Sequence, residues 1–522
     1  MTRAGPLVLT VLPVVLWGAL SALGCASVDD EGTWILPDHE PPGLETRDPV
    51  EEASLAVLGS GTLVRLGRWK DGVLHLDHVL TSVHETYPLL SAVRQELVIA
   101  EAEQLKALGA FDLQLKANAL WGATGFYENH SAQAVLEQQT GLYGLKVFGG
   151  YRLGTGDFDP TFDGKRVTNH GGEFSAGLSL PLLRDGSIDS ARRDLWGSAY
   201  ERQIAGSAFA TRRLRFEQEA AVAYWRWVAA GRRLEVVRSL LGLAEARQEG
   251  TMARVQRGAL PPIEGVDNRR LVVKRQSLVI KVRREVEKTA IALSLFLRDA
   301  RGVTLRPRAA SLPEEFPLPP APNLAGLSTD LARALELRPD LQQFARLRER
   351  AELELRYADN QLLPQLDVFV AGSQDRDGRR PSVTKGEFEL AAGLEFSFPF
   401  QNRRARGQAA AARAKLDALV DQERFVRDKV EAEVRDSLSA LQAAYEQASQ
   451  ARQVAELSAQ VADAERRRFE LGDSDVLRLN LREEALAEAR LGVIDALLHY
   501  WSAAATYRAA VGVARAGAVP IS

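Results

Sequence analysis

One cysteine, Cys25, stands in a chain of 522 residues, so no intramolecular disulfide can form. Neither sign of charge is in excess. The 66 basic residues meet 69 acidic ones for a net charge of −3, so no strong field draws the chain to nucleic acid or to an acidic substrate. Beyond the amino terminus no apolar run reaches the about 18 residues of a transmembrane helix, and any membrane span must be built from strands. The seven histidines are scattered, with no Cys or His cluster at metal-ligand spacing. Neither a nucleophile motif nor a phosphate-binding loop occurs. These absences count against an enzyme, a cofactor and a metal centre, and Glu483 with Glu484 reads as a solvated helix face.

The amino terminus carries an export signal. Residues 1–24 open on Arg3, continue through an apolar stretch from Leu7 to Trp17 and end on small residues, too short and too interrupted by proline to span a bilayer. Ala22-Leu23-Gly24-Cys25 resembles a bacterial lipobox, in which the cysteine is acylated and becomes the new amino terminus. The lipobox usually has Leu three places before Cys, where Ala22 stands, and ordinary cleavage near Ala26 is the alternative. Residues 25–71 then read as an irregular leader rich in Pro, Gly and charge, and 514–522 as a short tail.

What is present is length without interruption. From Gln408 to Leu471 the chain has neither Gly nor Pro, and at about 1.5 Å per residue an unbroken helix there approaches about 100 Å. A stripe of Val426, Val430, Val434, Leu438, Leu441, Tyr445 and Ala448 at spacings of three and four marks its packing face. Immediately before it, Glu387 to Phe398 alternates apolar even positions with polar or small odd ones and ends at Pro399, the pattern of a strand. Its length fits the about 9–11 residues of a lipid-facing strand. Similar alternation runs from Leu113 to Ala119 and from Phe174 to Leu180.

The order repeats. A helix from Leu76, strands from Phe111, a long helix ending at Gly258 and a returning helix from Ile263 to Leu297 make a first unit over 72–305. Residues 306–325 hold a proline-rich linker, and a second unit over 326–513 repeats helix, strands, long helix, turn at Gly472 and returning helix. One chain supplies four to six strand candidates, fewer than the about eight a useful closed barrel requires. An open edge would leave backbone groups unpaired in lipid, so strands of several chains must be pooled. Four from each of three chains would give twelve; Ala132 to Gln139 and Leu145 to Leu153 lengthen the first unit as an extra hairpin or a long outer loop. Tyr87, Trp121, Phe126, Tyr127, Tyr143 and Tyr151 are either aromatics of a membrane girdle or packing residues.

Over about residues 72–513 the chain resembles the TolC-like outer-membrane efflux protein family. The motifs that carry the likeness are Ala334-Leu335-x-x-Arg338-Pro339-Asp340-Leu341, the strand ending Phe398-Pro399-Phe400 followed by Arg403, Arg404 and Gly407, and the turns around Gly258 and Gly472. The closing helix with Ala485, Leu486, Ala489, Tyr500, Tyr507 and Gly512 is also similar. The resemblance implies a mainly α fold with a membrane β part: a homotrimer whose tandem repeats form an α-barrel and a shared outer-membrane β-barrel, passing substrate from an inner-membrane pump and a periplasmic adaptor protein to the exterior. It implies that the tips at Arg257, Gly258, Gly472 and Asp473 contact the adaptor. It further implies acidic residues narrowing the entrance shortly after each turn. Counting from the glycines gives Glu264 and Asp267 in the first unit but Arg478 and Leu481 in the second, so the entrance would be mixed, with Arg478 drawn to Glu264 or Asp267 of a neighbouring tip; solvated helix-end charges are the other reading. A rival function is a periplasmic coiled-coil lipoprotein scaffold anchored to the outer membrane without transport, which would not need the alternation up to Pro399.

Overall fold

The computed structural model describes residues 27–28, 34–35, 72–158, 167–376 and 387–513. The expected signal peptide, Cys25 and the carboxy-terminal tail lie outside the described residues. The chain divides into a unit of Met1–Val64 and a unit of Arg65–Ser522. In the first, two short strands, β1 (Ser27–Val28) and β2 (Trp34–Ile35), pair antiparallel.

The second unit runs α1 (Leu76–Thr86), α2 (Pro88–Leu108), β3 (Gln114–Gly122), β4 (Asn129–Gln139), β5 (Lys146–Gly156), β6 (Glu173–Pro181), α3 (Ser190–Gln256) and α4 (Pro262–Ser294). It continues with α5 (Leu327–Leu337), α6 (Pro339–Asn360), β7 (Gln365–Asp375), β8 (Glu389–Ser397), α7 (Arg403–Glu470) and α8 (Val476–Val511). Helices α3 and α7 have 67 and 68 residues, which at about 1.5 Å per residue is about 100 Å each.

Strands β3 to β8 form one antiparallel sheet of six strands in sequence order. The excess in the first half is therefore a strand hairpin, and among the described residues six strands of one chain form this sheet, the upper end of the expected four to six. Its turn, Leu142 to Leu145, has positive φ at Tyr143 (48°) and Gly144 (71°) and is closed by Leu145 N–H donating to Leu142 O at 2.8 Å, the signature of a type I′ turn.

Register sorts the sheet into two chemically distinct faces. One carries Leu115, Ala117 and Ala119 of β3, Ala132, Ala134 and Leu136 of β4, Val147, Tyr151 and Leu153 of β5 and Phe174, Ala176, Leu178 and Leu180 of β6. Leu366, Val368 and Val370 of β7 and Leu390, Ala392, Leu394 and Phe396 of β8 continue it. Within the described strands no Asp, Glu, Lys or Arg stands on that face. The opposite face is polar, and its aromatic rings lie over glycines: a Cβ on Gly177 would come within 2.6 Å of the Phe148 ring, and one on Gly393 within 2.4 Å of Phe369.

Trp121 and Phe126, 74% and 90% exposed, sit at the far end of β3 beside Tyr127, and exposed Tyr143 lies in the β4–β5 turn. Tyr87 instead packs in the core between Phe216 and Phe296, with ring centroids 5.1 and 5.4 Å away.

The helical part has two main cores. Trp227, Tyr224, Leu293 and Leu297 of α3 and the end of the first hairpin pack with Val79 and Val83 of α1. Val430, Val434, Leu438 and Leu441 of α7 pack with Tyr500 and Tyr507 of α8, with Val426 and Tyr445 at the margin. The expected stripe on α7 is thus its buried face. Arg338 starts α6 by bridging Asp340 at 2.6 Å and Glu433 of α7 at 2.5 Å. The proline-rich segment is docked as a strap: Tyr500 Oη donates to Pro320 O at 2.7 Å, Trp501 Nε1 to Pro317 O at 3.2 Å, and Phe316 stacks on Trp225.

Candidate functional site

Each helical hairpin, α3–α4 and α7–α8, turns back on a glycine with left-handed backbone: Gly258 at φ +73° and Gly472 at φ +83°. The two turns use the same hydrogen bonds. Gly258 N–H donates to Val255 O and Ala259 N–H to Arg254 O, both at 2.9 Å; Gly472 N–H donates to Phe469 O at 3.1 Å and Asp473 N–H to Arg468 O at 2.9 Å. This is the Schellman pattern, which satisfies the last carbonyls of a helix and favours glycine because a side chain is strained there.

Beyond the turns the two tips differ. Helix α4 starts with Pro262 at its first position, where the missing N–H costs nothing, and Glu264 lies in its first turn facing the positive end of the helix dipole. Glu264 is exposed, and Asp267 pairs with Arg270 of its own helix at 2.9 Å. Helix α8 is capped by Asp475, whose Oδ1 accepts from Arg478 N–H at 2.8 Å. The Arg478 guanidinium lies 3.5 Å from that same carboxylate. Within one chain, no ion pair among the described residues joins Arg478 to Glu264 or Asp267. Arg257 donates to Ala253 O at 2.9 Å, and Asp473 lies 3.5 Å from Arg468.

The two hairpins are joined higher up, by residues that the sequence reading placed elsewhere. Glu483 is not on a solvated face: it is 2% exposed, and its Oε1 accepts from Arg247 Nη2 of α3 at 2.7 Å. Arg247 also reaches Asn480, and Arg466 of α7 lies 3.9 Å from Glu483. Arg275 of α4 is buried nearby and donates to Leu240 O at 2.8 Å. Burial pushes the Arg275 guanidinium below its ordinary pKa, partly offset by Glu483. Glu484 is exposed as expected and meets Lys274 at 3.1 Å. A signal was available: Arg247 stands eleven residues before Gly258 and Glu483 eleven after Gly472, so helices folded back at equivalent turns put the two at the same depth.

Among the described residues, no group of three or more His, Cys, Asp or Glu is placed to hold a metal. No described helix is long and apolar enough to cross a membrane. A strand sheet with one uncharged face, continuous with paired helices of this length, has the physical character of a lipid-facing sheet carried on an aqueous helical extension.

The sequence pattern of the outer membrane efflux protein family matches residues 331–513. No curated protein matches the chain. Among solved structures, the fold is similar to the outer membrane protein VceC from Vibrio cholerae, with TM-score 0.59 and 17% identity over 84% of this chain and 96% of that one. It is similar to the CmeC outer membrane channel of Campylobacter jejuni, with TM-score 0.58 and 12% identity over 85% and 87%. The open MtrE outer membrane channel of Neisseria gonorrhoeae gives TM-score 0.57 and 13% identity over 92% and 98%. Residues 331–513 thus carry the pattern of the outer membrane efflux proteins, and the chain as a whole shares the fold of these outer-membrane channel structures.

Proposed function

We propose that the chain is one subunit of a homotrimeric outer-membrane duct that performs no chemistry itself and conducts substrate passively from an inner-membrane pump and a periplasmic adaptor. The observation that carries this reading is the two-faced sheet joined without a break to helices α3 and α7. An open six-stranded sheet in lipid leaves two edges of unpaired backbone groups, each costing several kcal/mol, and pooling strands between copies removes them. Three chains would pool eighteen strands, six from each, a size at which barrels of about 16–18 strands leave an aqueous channel. Residues 72–305 and 326–513 are the two repeats, joined by the strap at 306–325. Cys25 is the lipid attachment point, following a signal peptide over 1–24.

At the far end, the tips around Arg257, Gly258, Gly472 and Asp473 dock the adaptor, and Glu264, Asp267 and Arg478 line the entrance. The exposure of Glu264 and Asp267 supports that role, because charges free of buried partners remain available to neighbouring tips. The test is single-channel conductance of the detergent-extracted protein in planar bilayers, for wild type and for Glu264→Ala with Asp267→Ala. Discrete channels with larger conductance in the double variant are expected. Unchanged conductance would remove the entrance assignment, and folded trimer that never conducts would remove the duct.

A further inference from the structure

The polar face of the sheet is charged unevenly. Register places six carboxylates on it, Glu137, Glu173, Asp367, Asp375, Glu389 and Glu395, against the three cations Lys116, Lys146 and Arg152. Lys116 pairs with Glu137 at 2.5 Å, and Arg152 pairs with Glu173. Asp367, Asp375, Glu389 and Glu395 have no ion pair among the described residues. Asp367 accepts only from the Gln365 amide at 2.7 Å, and Asp375 from Asn169 N–H at 3.0 Å.

The arrangement opposes like charges. Asp367 faces Glu395 directly across the β7–β8 ladder, and Glu173 faces Asp375 across β6–β7. Like charges directly opposed on neighbouring strands destabilise a sheet, and among the described residues no cation pairs with Asp367 or Glu395. The two groups lie at the helix end of their strands, whereas Asp375 and Glu389 lie at the other end, so the surplus is spread over two levels. A hollow of ≈ 310 Å³ lies against this face, lined in part by Gln133, Arg152, Glu173, Ser175, Ser373 and Glu389.

We propose that the sheet makes the duct a cation-favouring filter, in which Asp367 and Glu395 at the inner level and Asp375 and Glu389 at the outer level favour inorganic cations and positively charged solutes over anions. This rests on the duct reading. Copies of the chain repeat each level around the lumen, and a passage lined by one sign of charge between low-dielectric walls concentrates the opposite ion. The filter lies in the sheet and not at the tips, where Arg478 stands opposite in sign to Glu264 and Asp267.

The test is the reversal potential in planar bilayers under a KCl gradient, for wild type, Asp367→Asn with Glu395→Gln, Glu395→Lys, and the tip variant Glu264→Gln with Asp267→Asn. Wild type is expected to prefer K⁺ to Cl⁻. The neutralised sheet variant should lose at least half of that preference, Glu395→Lys should move it further towards Cl⁻, and the tip variant should change it less than either. The preference should also shrink between 0.1 M and 1 M salt, as the Debye length falls from about 10 Å to about 3 Å. Removing opposed like charges spares the fold, and a thermal melt of each variant checks this. Channels that are unselective or prefer anions, or a preference abolished at the tips and untouched in the sheet, would overturn the filter and leave the duct standing. Folded trimer without channels would remove both.

Discussion

Hairpins α3–α4 and α7–α8 are one device built twice, ending in the same turn, yet they divide buried charge unequally. The first supplies the cations Arg247 and Arg275; the second supplies the anion Glu483, with Arg466 at its margin. Neither hairpin balances the cluster around Glu483 on its own. A buried charge without its partner is costly, so each hairpin is completed only by the other, and the two copies have become complementary. The tips, which face water, were free to diverge: Pro262 and Glu264 start one returning helix, Asp475 caps the other.

The sharpest way to break this comparison is at its buried point. Glu483→Ala leaves Arg247 and Arg275 without their carboxylate, and removing one partner of a buried pair costs about 3–5 kcal/mol. Arg247→Ala should cost a similar amount, and the double variant much less than the sum, a coupling that urea unfolding of the single and double variants measures. Additive losses would mean that Glu483 and Arg247 are held independently and that the hairpins do not complete one another.

How much of this was legible depended on whether a residue's fate was decided locally. The alternation from Glu387 to Phe398 and the stripe from Val426 to Ala448 were readable because one face of each element is apolar throughout, and burial follows period. Strand-like text over Ala132 to Gln139 and Leu145 to Leu153 was visible, but the choice between a hairpin and a long outer loop was not, since Tyr143-Gly144 lacks the Asn or Asp that usually announces a type I′ turn. The strap at 306–325 read as a linker because Tyr500 and Trp501, which hold it, are far away in sequence. Glu483 was misplaced for the same reason: two adjacent glutamates on a helix look solvated until α3 brings Arg247 against one of them. At the tips, the glycines were legible from chain order, whereas the pairing of Arg478 with Asp475 depended on where helix α8 begins.

A middle-sized effect tests the part of the comparison that is conserved between the halves. Nothing but the left-handed backbone demands glycine at 258 and 472, since a Cβ at either would meet no atom within 4 Å. Ala at such a conformation costs about 1–2 kcal/mol, so Gly258→Ala and Gly472→Ala should lower stability by equal amounts in matched melts. A clear inequality would show that one turn carries strain or contact that the other lacks.

The smallest effect separates the tips by chemistry rather than by charge. Asp267 and Asp475 are both exposed carboxylates beside an arginine of their own helix, with nearest N···O distances of 2.9 and 3.5 Å. Counted as ion pairs, the closer one should matter more. Asp475 is also the helix cap, accepting the Arg478 N–H, and losing such a cap costs typically about 1 kcal/mol, whereas an exposed i,i+3 pair contributes about 0.5 kcal/mol or less. Asp475→Ala should therefore destabilise more than Asp267→Ala, and Asp475→Asn, which keeps the accepting oxygen but not the charge, should recover most of the difference. If Asn fails to rescue and high salt erases the gap between the two alanine variants, the second tip is held by charge, and the two turns are less alike than their shared hydrogen bonds imply.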